Sequence, residues 1–158
     1  GWTKSNNTVL VNNFNLWFDV PYAIVYFYNV YGKREISNGK YATLIGIFIN
    51  RMSIGKSLTV VSPGIQKRNF THVDDIVSGL ILVAENGYGD NFGIGSDESF
   101  TILEIANMFE GDIEMLPKRK GNRLTADVVT DKTKALGWIP KHKVSDYIKD
   151  IKINNWKF

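Results

Sequence analysis

The stretch Pro21-Tyr22-Ala23-Ile24-Val25-Tyr26-Phe27-Tyr28-Asn29-Val30-Tyr31-Gly32-Lys33-Arg34 decides the fold. Its first half is an unbroken apolar run, rich in aromatic and β-branched side chains, which is the pattern of a buried strand. It then breaks at Asn29 and at Tyr31-Gly32 into a basic turn. Ligands of open α/β sheets sit in the crevice beyond the carboxyl ends of the strands. Such a strand delivers Tyr28, Asn29 and Tyr31 to that crevice. Before it, residues 1–18 place Val9, Leu10, Phe14, Trp17 and Phe18 at helical spacing, with Lys4 near the start. Asn lowers helix propensity, and this segment is rich in it, so the helix depends on packing.

The rest of the chain alternates in the same way. Residues 41–54 carry Leu44, Ile45, Ile47, Phe48 and Met52 at three- and four-residue intervals, a helix closed by Gly55. A short strand follows at Leu58-Thr59-Val60-Val61, stopped by Pro63-Gly64. Residues 67–73 read as another strand with a basic entry. Asp74-Asp75 then supply the negative charge favoured at a helix N-terminus, and the helix continues over 76–84. Residues 91–95 are strand-like. Thr101 with Glu104 forms a capping-box pattern that starts a helix over 102–109. Residues 114–123 read as a basic loop broken by Pro117 and Gly121. Short helices are expected at 130–136 and 144–156. This succession predicts an α/β fold with short strands.

Composition narrows the function classes. The 158 residues are 44% hydrophobic and 13% aromatic, enough to bury a core. A formal charge of +3 suits an anionic small molecule as well as nucleic acid. There is no cysteine, which removes disulfides, thiolate metal sites and thiol nucleophiles. No apolar run approaches the roughly 20 residues that span a bilayer. No sequence grouping of histidine and carboxylate suggests a metal. His72 reads as a structural strand residue, and His142, beside Pro140 and Lys141, as an exposed one. Gly93-Ile94-Gly95 imitates a dinucleotide fingerprint, but it lacks the third glycine and is followed by Asp97 and Glu98. It reads as a tight structural turn.

Four segments together resemble one family. Residues 26–34 resemble the "RYFNVYGPR" signature of extended short-chain dehydrogenases, the NAD-dependent sugar-nucleotide epimerases and dehydratases. Lys67-Arg68-Asn69-Phe70-Thr71-His72-Val73-Asp74-Asp75 resembles their "RDFTHVDD". Residues 91–104 resemble "YNIGSGESFSILE", and Leu136-Gly137-Trp138-Ile139-Pro140 resembles "LGWKP". The matches occur in the family's order and cover nearly the whole chain. Departures are Tyr26 for the usual Arg, Asn69 for Asp, Asn122 for the loop Asp, and Ser62-Pro63-Gly64 for "GDG".

The resemblance implies the end of a Rossmann-type parallel sheet, within residues 1–39, plus the small α/β substrate-binding lobe, mainly residues 40–158. Some segments of the second part are expected to return to the Rossmann sheet. The family's catalytic pair is Tyr-x-x-x-Lys, and Gly1-Trp2-Thr3-Lys4-Ser5 matches its end. The tyrosine would immediately precede Gly1. The chain would then be a carboxyl-terminal half without the glycine-rich loop, inactive by itself. Lys4 is implied as the catalytic lysine that also binds the nicotinamide ribose of NAD. A tyrosine titrating near pH 10 needs such a cation to act as a base at neutral pH.

Further roles follow from the same resemblance. Phe27 and Tyr28 occupy nicotinamide-proximal positions, with core packing as the equal alternative. Asn29, Thr59, Val61, Arg68, Arg119 and Asn122 are implied to bind a nucleotide-diphosphate sugar, with Arg68 and Arg119 gripping its diphosphate. The activity implied is epimerisation by transient oxidation and re-reduction of a ring carbon. A 4,6-dehydratase or reductase is the alternative within the family. A non-catalytic nucleotide-sugar binder and an RNA-binding relative are the alternatives outside it. RNA ranks last, because the aromatics fall in apolar runs rather than beside the basic residues. The helix at 1–18 is implied to pair two copies in a homodimer, and a cytoplasmic location without membrane attachment is expected.

Overall fold

The computed structural model describes residues 2–118, 124–125 and 128–157. Helix α1 (Trp2–Phe18) leads through an extended turn into strand β1 (Ala23–Phe27). Asn29 adopts a left-handed φ of 36° immediately beyond β1, which breaks the strand before the two-residue strand β2 (Val30–Tyr31). Asparagine tolerates that conformation better than most side chains.

Helix α2 (Leu44–Ser53) begins three residues later than its apolar periodicity suggests. Thr43 is the reason: its hydroxyl accepts from Gly46 N at 3.1 Å and fixes the N-terminus there. Tyr41 is left exposed outside the helix. Gly55, at a φ of 65°, ends α2 as expected; its N–H and that of Lys56 return to Met52 O and Arg51 O. Strand β3 (Leu58–Val61) follows with the expected bounds.

The expected strand over 67–73 is instead two strands in two sheets. Strand β4 (Lys67–Asn69) runs antiparallel to β7 (Ser99–Thr101), with Arg68 opposite Phe100. Strand β5 (Thr71–His72) runs parallel to β2, with Thr71 opposite Val30. The change of partner occurs at Phe70, whose ring is buried in the main core. Helix α3 (Val73–Asn86) starts at once, so His72 is its N-cap: the imidazole Nδ1 accepts from Asp74 N at 3.2 Å. His72 is thus a strand residue as expected, and the helix cap is a second role the sequence did not signal.

Strand β6 (Gly89–Ile94) pairs in parallel with β1, from Ala23 opposite Gly89 to Phe27 opposite Ile94. Helix α4 (Ile102–Met108) carries the full reciprocal capping box of Thr101 and Glu104. The expected basic loop at 114–123 begins with a strand instead. Strand β8 (Ile113–Leu116) lies parallel to β3, Leu58 opposite Ile113 and Val61 opposite Leu116. Its four residues include Glu114, and the backbone pairing rather than side-chain periodicity makes it a strand. The short helix α5 (Asp131–Ala135) and the final helix α6 (Val144–Ile153) complete the described chain.

Two buried clusters hold these elements together. The larger one joins Tyr31, Phe48, Leu58, Val60, Phe70, Ile105, Phe109, Ile148 and their neighbours. The smaller one, Ile76, Ile94 and Trp138, with Val25 packed against it, lies under the β1–β6 pair. Fully burying one such aliphatic or aromatic side chain contributes about 1.5–3 kcal/mol. Helix α1 has no buried residue at all, and Leu10, Phe14, Leu16, Trp17 and Phe18 are each about half exposed or more.

Candidate functional site

The carboxyl ends of β1 and β6 and the β4–β5 joint meet in one polar network. Asn29 Nδ2 donates to Asn69 O at 3.1 Å, and Thr71 N donates to Asn29 O at 3.2 Å. Asn69 Nδ2 donates to Ser96 O at 2.8 Å, while Ser96 N donates to Thr71 Oγ1 at 3.0 Å. Residue 69 is an asparagine where the family signature has an aspartate. Its amide N–H can donate to the Ser96 carbonyl, whereas a carboxylate there would only accept. The network thus fixes three strand ends relative to one another, in the crevice where α/β sheets hold ligands.

Arg68 leaves β4 beside this network, half-buried, with one guanidinium N–H on Lys67 O at 2.6 Å. On the adjacent residue, Lys67 N donates to Leu124 O at 2.8 Å. The chain that resumes at Leu124 is therefore tied to β4 next to Arg68. Arg119 and Asn122, the other expected substrate residues of this loop, lie outside the described residues. Thr59 and Val61 are half-buried on β3, alternating with the buried Leu58 and Val60. They are not joined to the Asn29–Asn69 network by any hydrogen bond described here.

Helix α1 runs back along β1. Tyr88 is in ring contact with Tyr22, before β1, and its hydroxyl lies 3.3 Å from Asn15 Oδ1. The Thr8 side chain hydrogen bonds with Tyr26, near the other end of β1. Lys4 is one helical turn beyond Thr8 on the same face, so it is carried towards the carboxyl end of β1, where it is exposed. Phe27 is 48% exposed there, an aromatic face without a packing partner in the core. Burial pushes the Tyr26 hydroxyl pKa up, with Thr8 acting in the opposite sense.

Tyr28 packs differently from Phe27. Its ring lies against Gly93 and Gly95, and its hydroxyl accepts from Val129 N at 3.3 Å. A Cβ on Gly95 would come within 2.6 Å of the Tyr28 ring, and one on Gly93 would run into the Val129 carbonyl. The Gly93-Ile94-Gly95 sequence is therefore no phosphate cradle, because protein already fills the space. Neither is it a tight turn: Gly93 lies within β6, and both glycines serve close approach. Asp97, beyond them, is paired with Lys134 at 2.6 Å.

A second cluster was hidden by sequence distance. His72 and His142 stack with ring centroids 4.4 Å apart, and His142 Nδ1 lies 2.9 Å from Asp75 Oδ1. Asp75 is 3% exposed and also accepts from Lys141 N and His142 N. Only the buried aspartate at a helix start could have hinted at this from the sequence. A cavity of about 760 Å³ beside it is lined by Lys33, His72, Asp74, His142, Asp146 and Tyr147, among others. Of the described residues expected to bind substrate, Asn29, Thr59, Val61 and Arg68, none lines that cavity. No described helix is long and apolar enough to cross a membrane.

Known proteins similar in sequence and architecture point one way. The model of the NAD dependent epimerase/dehydratase family matches residues 1–95. A putative UDP-glucose 4-epimerase of Methanocaldococcus jannaschii is 27% identical over 99% of this chain and 52% of its own length. The low-salt glycan biosynthesis protein Agl12 of Haloferax volcanii is 30% identical over 91% of this chain and 48% of its own. The crystal structure of UDP-glucose 4-epimerase with UDP-glucose from Thermotoga maritima superposes with a TM-score of 0.85 at 27% identity, covering 94% of this chain and 50% of that one. The chain spans about half the length of these relatives. It belongs to the NAD dependent epimerase/dehydratase family.

Proposed function

We propose that this chain supplies the nucleotide-sugar-binding half of an NAD-dependent epimerase. The observation that carries the reading is the Phe70 joint. One continuous backbone holds Arg68 on β4 and, within the next three residues, locks the ends of β1 and β6 through Asn69 and Thr71. A guanidinium fixed beside such a crevice can grip a diphosphate with two parallel hydrogen bonds. Arg119 is proposed as the second clamp; Leu124, five positions along the sequence, is tied to β4 through Lys67 N. Asn29, Thr59, Val61 and Asn122 complete the proposed substrate contacts. The main core unites residues 45–151 with Tyr31, which supports assigning residues 40–158 mainly to the substrate lobe. The β1–β6 pairing supports a return of the second part to the cofactor sheet of residues 1–39.

The residues present fit one end of the cofactor and not the other. Phe27, exposed at the strand end, and Lys4, exposed on α1, are suited to the nicotinamide and its ribose, and Tyr28 follows Phe27 in sequence. The diphosphate has no cradle among the described residues, because Gly93 and Gly95 are packed against Tyr28 and Val129. Bound NAD would accept and return the hydride of the sugar ring carbon. In this reading Lys4 holds a neighbouring tyrosine ready as base, Phe27 screens the ring from water, and Arg68 orients the sugar through its diphosphate. The exposed apolar side chains of α1 support pairing of two copies, and the parent protein is placed in the cytoplasm.

Calorimetric titration of the chain with UDP-, dTDP-, GDP- and CDP-sugars tests the proposal. Saturable binding of one class, at least roughly tenfold weaker in Arg68→Ala, is expected, given the strength of a bidentate charged contact. Binding that survives Arg68→Ala unchanged, or no binding by any of the four, would overturn it.

A further inference from the structure

The chain contains two histidines and no cysteine. Both histidines, seventy positions apart, meet at one place on the surface. One ligand atom from each of His72, Asp74 and His142 lies within 4.8 Å of those of the other two. We propose that these three side chains bind a divalent transition-metal ion of the zinc type, with Asp75 orienting His142 from behind.

The ligand chemistry is specific. Two imidazoles and one carboxylate suit Zn²⁺, Co²⁺ or Ni²⁺ and are a poor set for Mg²⁺ or Ca²⁺, which prefer oxygen. Asp74 Oδ2 lies 3.6 Å from His72 Nδ1. Two ligands on one tetrahedral ion, at bonds of about 2.1 Å, are separated by about 3.4 Å. This pair is thus already spaced for shared coordination. His72 Nδ1 is a bare acceptor, since it receives the Asp74 N–H at 3.2 Å, and the ion takes over that lone pair.

His142 is held for the same task. The Asp75 carboxylate can only accept, so the 2.9 Å contact puts the proton of the neutral ring on Nδ1 and leaves the Nε2 lone pair open. A carboxylate behind a ligating imidazole fixes its tautomer and raises its basicity. Asp75 is itself immobilised by the backbone of Lys141 and His142, and its carbonyl accepts from Trp138 Nε1 at 3.0 Å. The adjoining cavity gives solvent or an anionic ligand access to the remaining coordination position.

None of the three ligands is a member of the strand-end network, although His72 directly follows Thr71 in β5, and the proposal does not rest on the epimerase reading. Equilibrium dialysis and calorimetry of the chain with ZnCl₂, CoCl₂ and MgCl₂ test it. One equivalent of zinc or cobalt per chain, with no magnesium uptake, is expected, and bound cobalt should give the intense visible bands of a four-coordinate ion. His142→Ala should weaken zinc binding roughly tenfold or more, the scale seen for altered metal-site residues. His72→Asn keeps a side-chain acceptor at the helix start and should do the same without unfolding the chain. No stoichiometric zinc uptake, or uptake that both variants retain in full, would overturn the assignment.

Discussion

Asn69 and Ser96 are joined across two sheets by reciprocal use of one neighbour. The Asn69 amide donates to Ser96 O at 2.8 Å, and Ser96 N returns a bond at 3.0 Å to Thr71, two residues along from Asn69. Because Thr71 and Ser96 are buried, each broken bond strands a polar group away from water.

Replacing Asn69 by Ala should therefore cost about 1–3 kcal/mol. In a domain of this size that lowers the melting temperature by about 2–4 °C per kcal/mol. Thermal denaturation followed by circular dichroism measures it. An Asn69→Asp chain, restoring the family's usual residue, should also be destabilised, because its carboxylate faces the Ser96 carbonyl without a proton to give.

Gly93→Ala should be far more damaging than its single methyl suggests. The added carbon meets the backbone carbonyl of Val129, which cannot rotate away as a side chain would. Overpacking of this sort costs about 1–3 kcal/mol or more. Urea titration of Gly93→Ala beside Gly111→Ala, where the nearest neighbour is the flexible end of Met52, should show the larger loss at 93.

Glu35 gives stability an acid-side dependence. Burial raises its pKa, against the opposing Thr43 hydroxyl, which donates to Oε2 at 2.5 Å, and the backbone N–H groups of Gly32 and Gly46. A carboxyl with a raised folded pKa binds more protons folded than unfolded. Its contribution is thus present below about pH 4.5 and is lost as pH rises through the folded value. Glu35→Gln keeps an acceptor for Thr43 and should flatten this part of the profile, while leaving the chain more stable at neutral pH. Denaturant midpoints measured across pH would show a persisting slope if another group were responsible.

Helix α1 should make the isolated chain self-associate. Its exposed Phe14, Trp17 and Phe18 rings touch one another in a row, with centroids 5.4–6.5 Å apart, and no described residue buries them. Contiguous apolar surface of this kind marks a contact face. Sedimentation velocity should give a mass that rises with concentration, and Phe14→Glu should hold the chain as a monomer. A monomer at all concentrations would remove the case for pairing through α1.

Much of this was readable in the sequence wherever side chains alone decide the outcome. The Thr101–Glu104 box and the Gly55 stop act within a few residues and appear in place. Strand β1 forms where its aromatic run predicts, though it is half-buried to exposed rather than buried as the run suggests. What escaped depends on a distant partner. Strand β8 has four residues and a central charge, and becomes a strand because β3 offers it a backbone ladder. The 67–73 run, with its basic entry, reads as one strand but divides where Phe70 enters the core. His142 looks like an ordinary loop residue until the chain closes and sets it on Asp75. The Asn29–Asn69 contact, forty positions apart, has no local signature either.

The division at Phe70 has a mechanical corollary. Four residues carry the Arg68 guanidinium, the anchor in the hydrophobic interior, the lock on the strand ends and the cap of α3, in that order. Nothing in so short a span can absorb slack. A pull on the Arg68 side chain is therefore passed along the backbone to the first turn of a fourteen-residue helix.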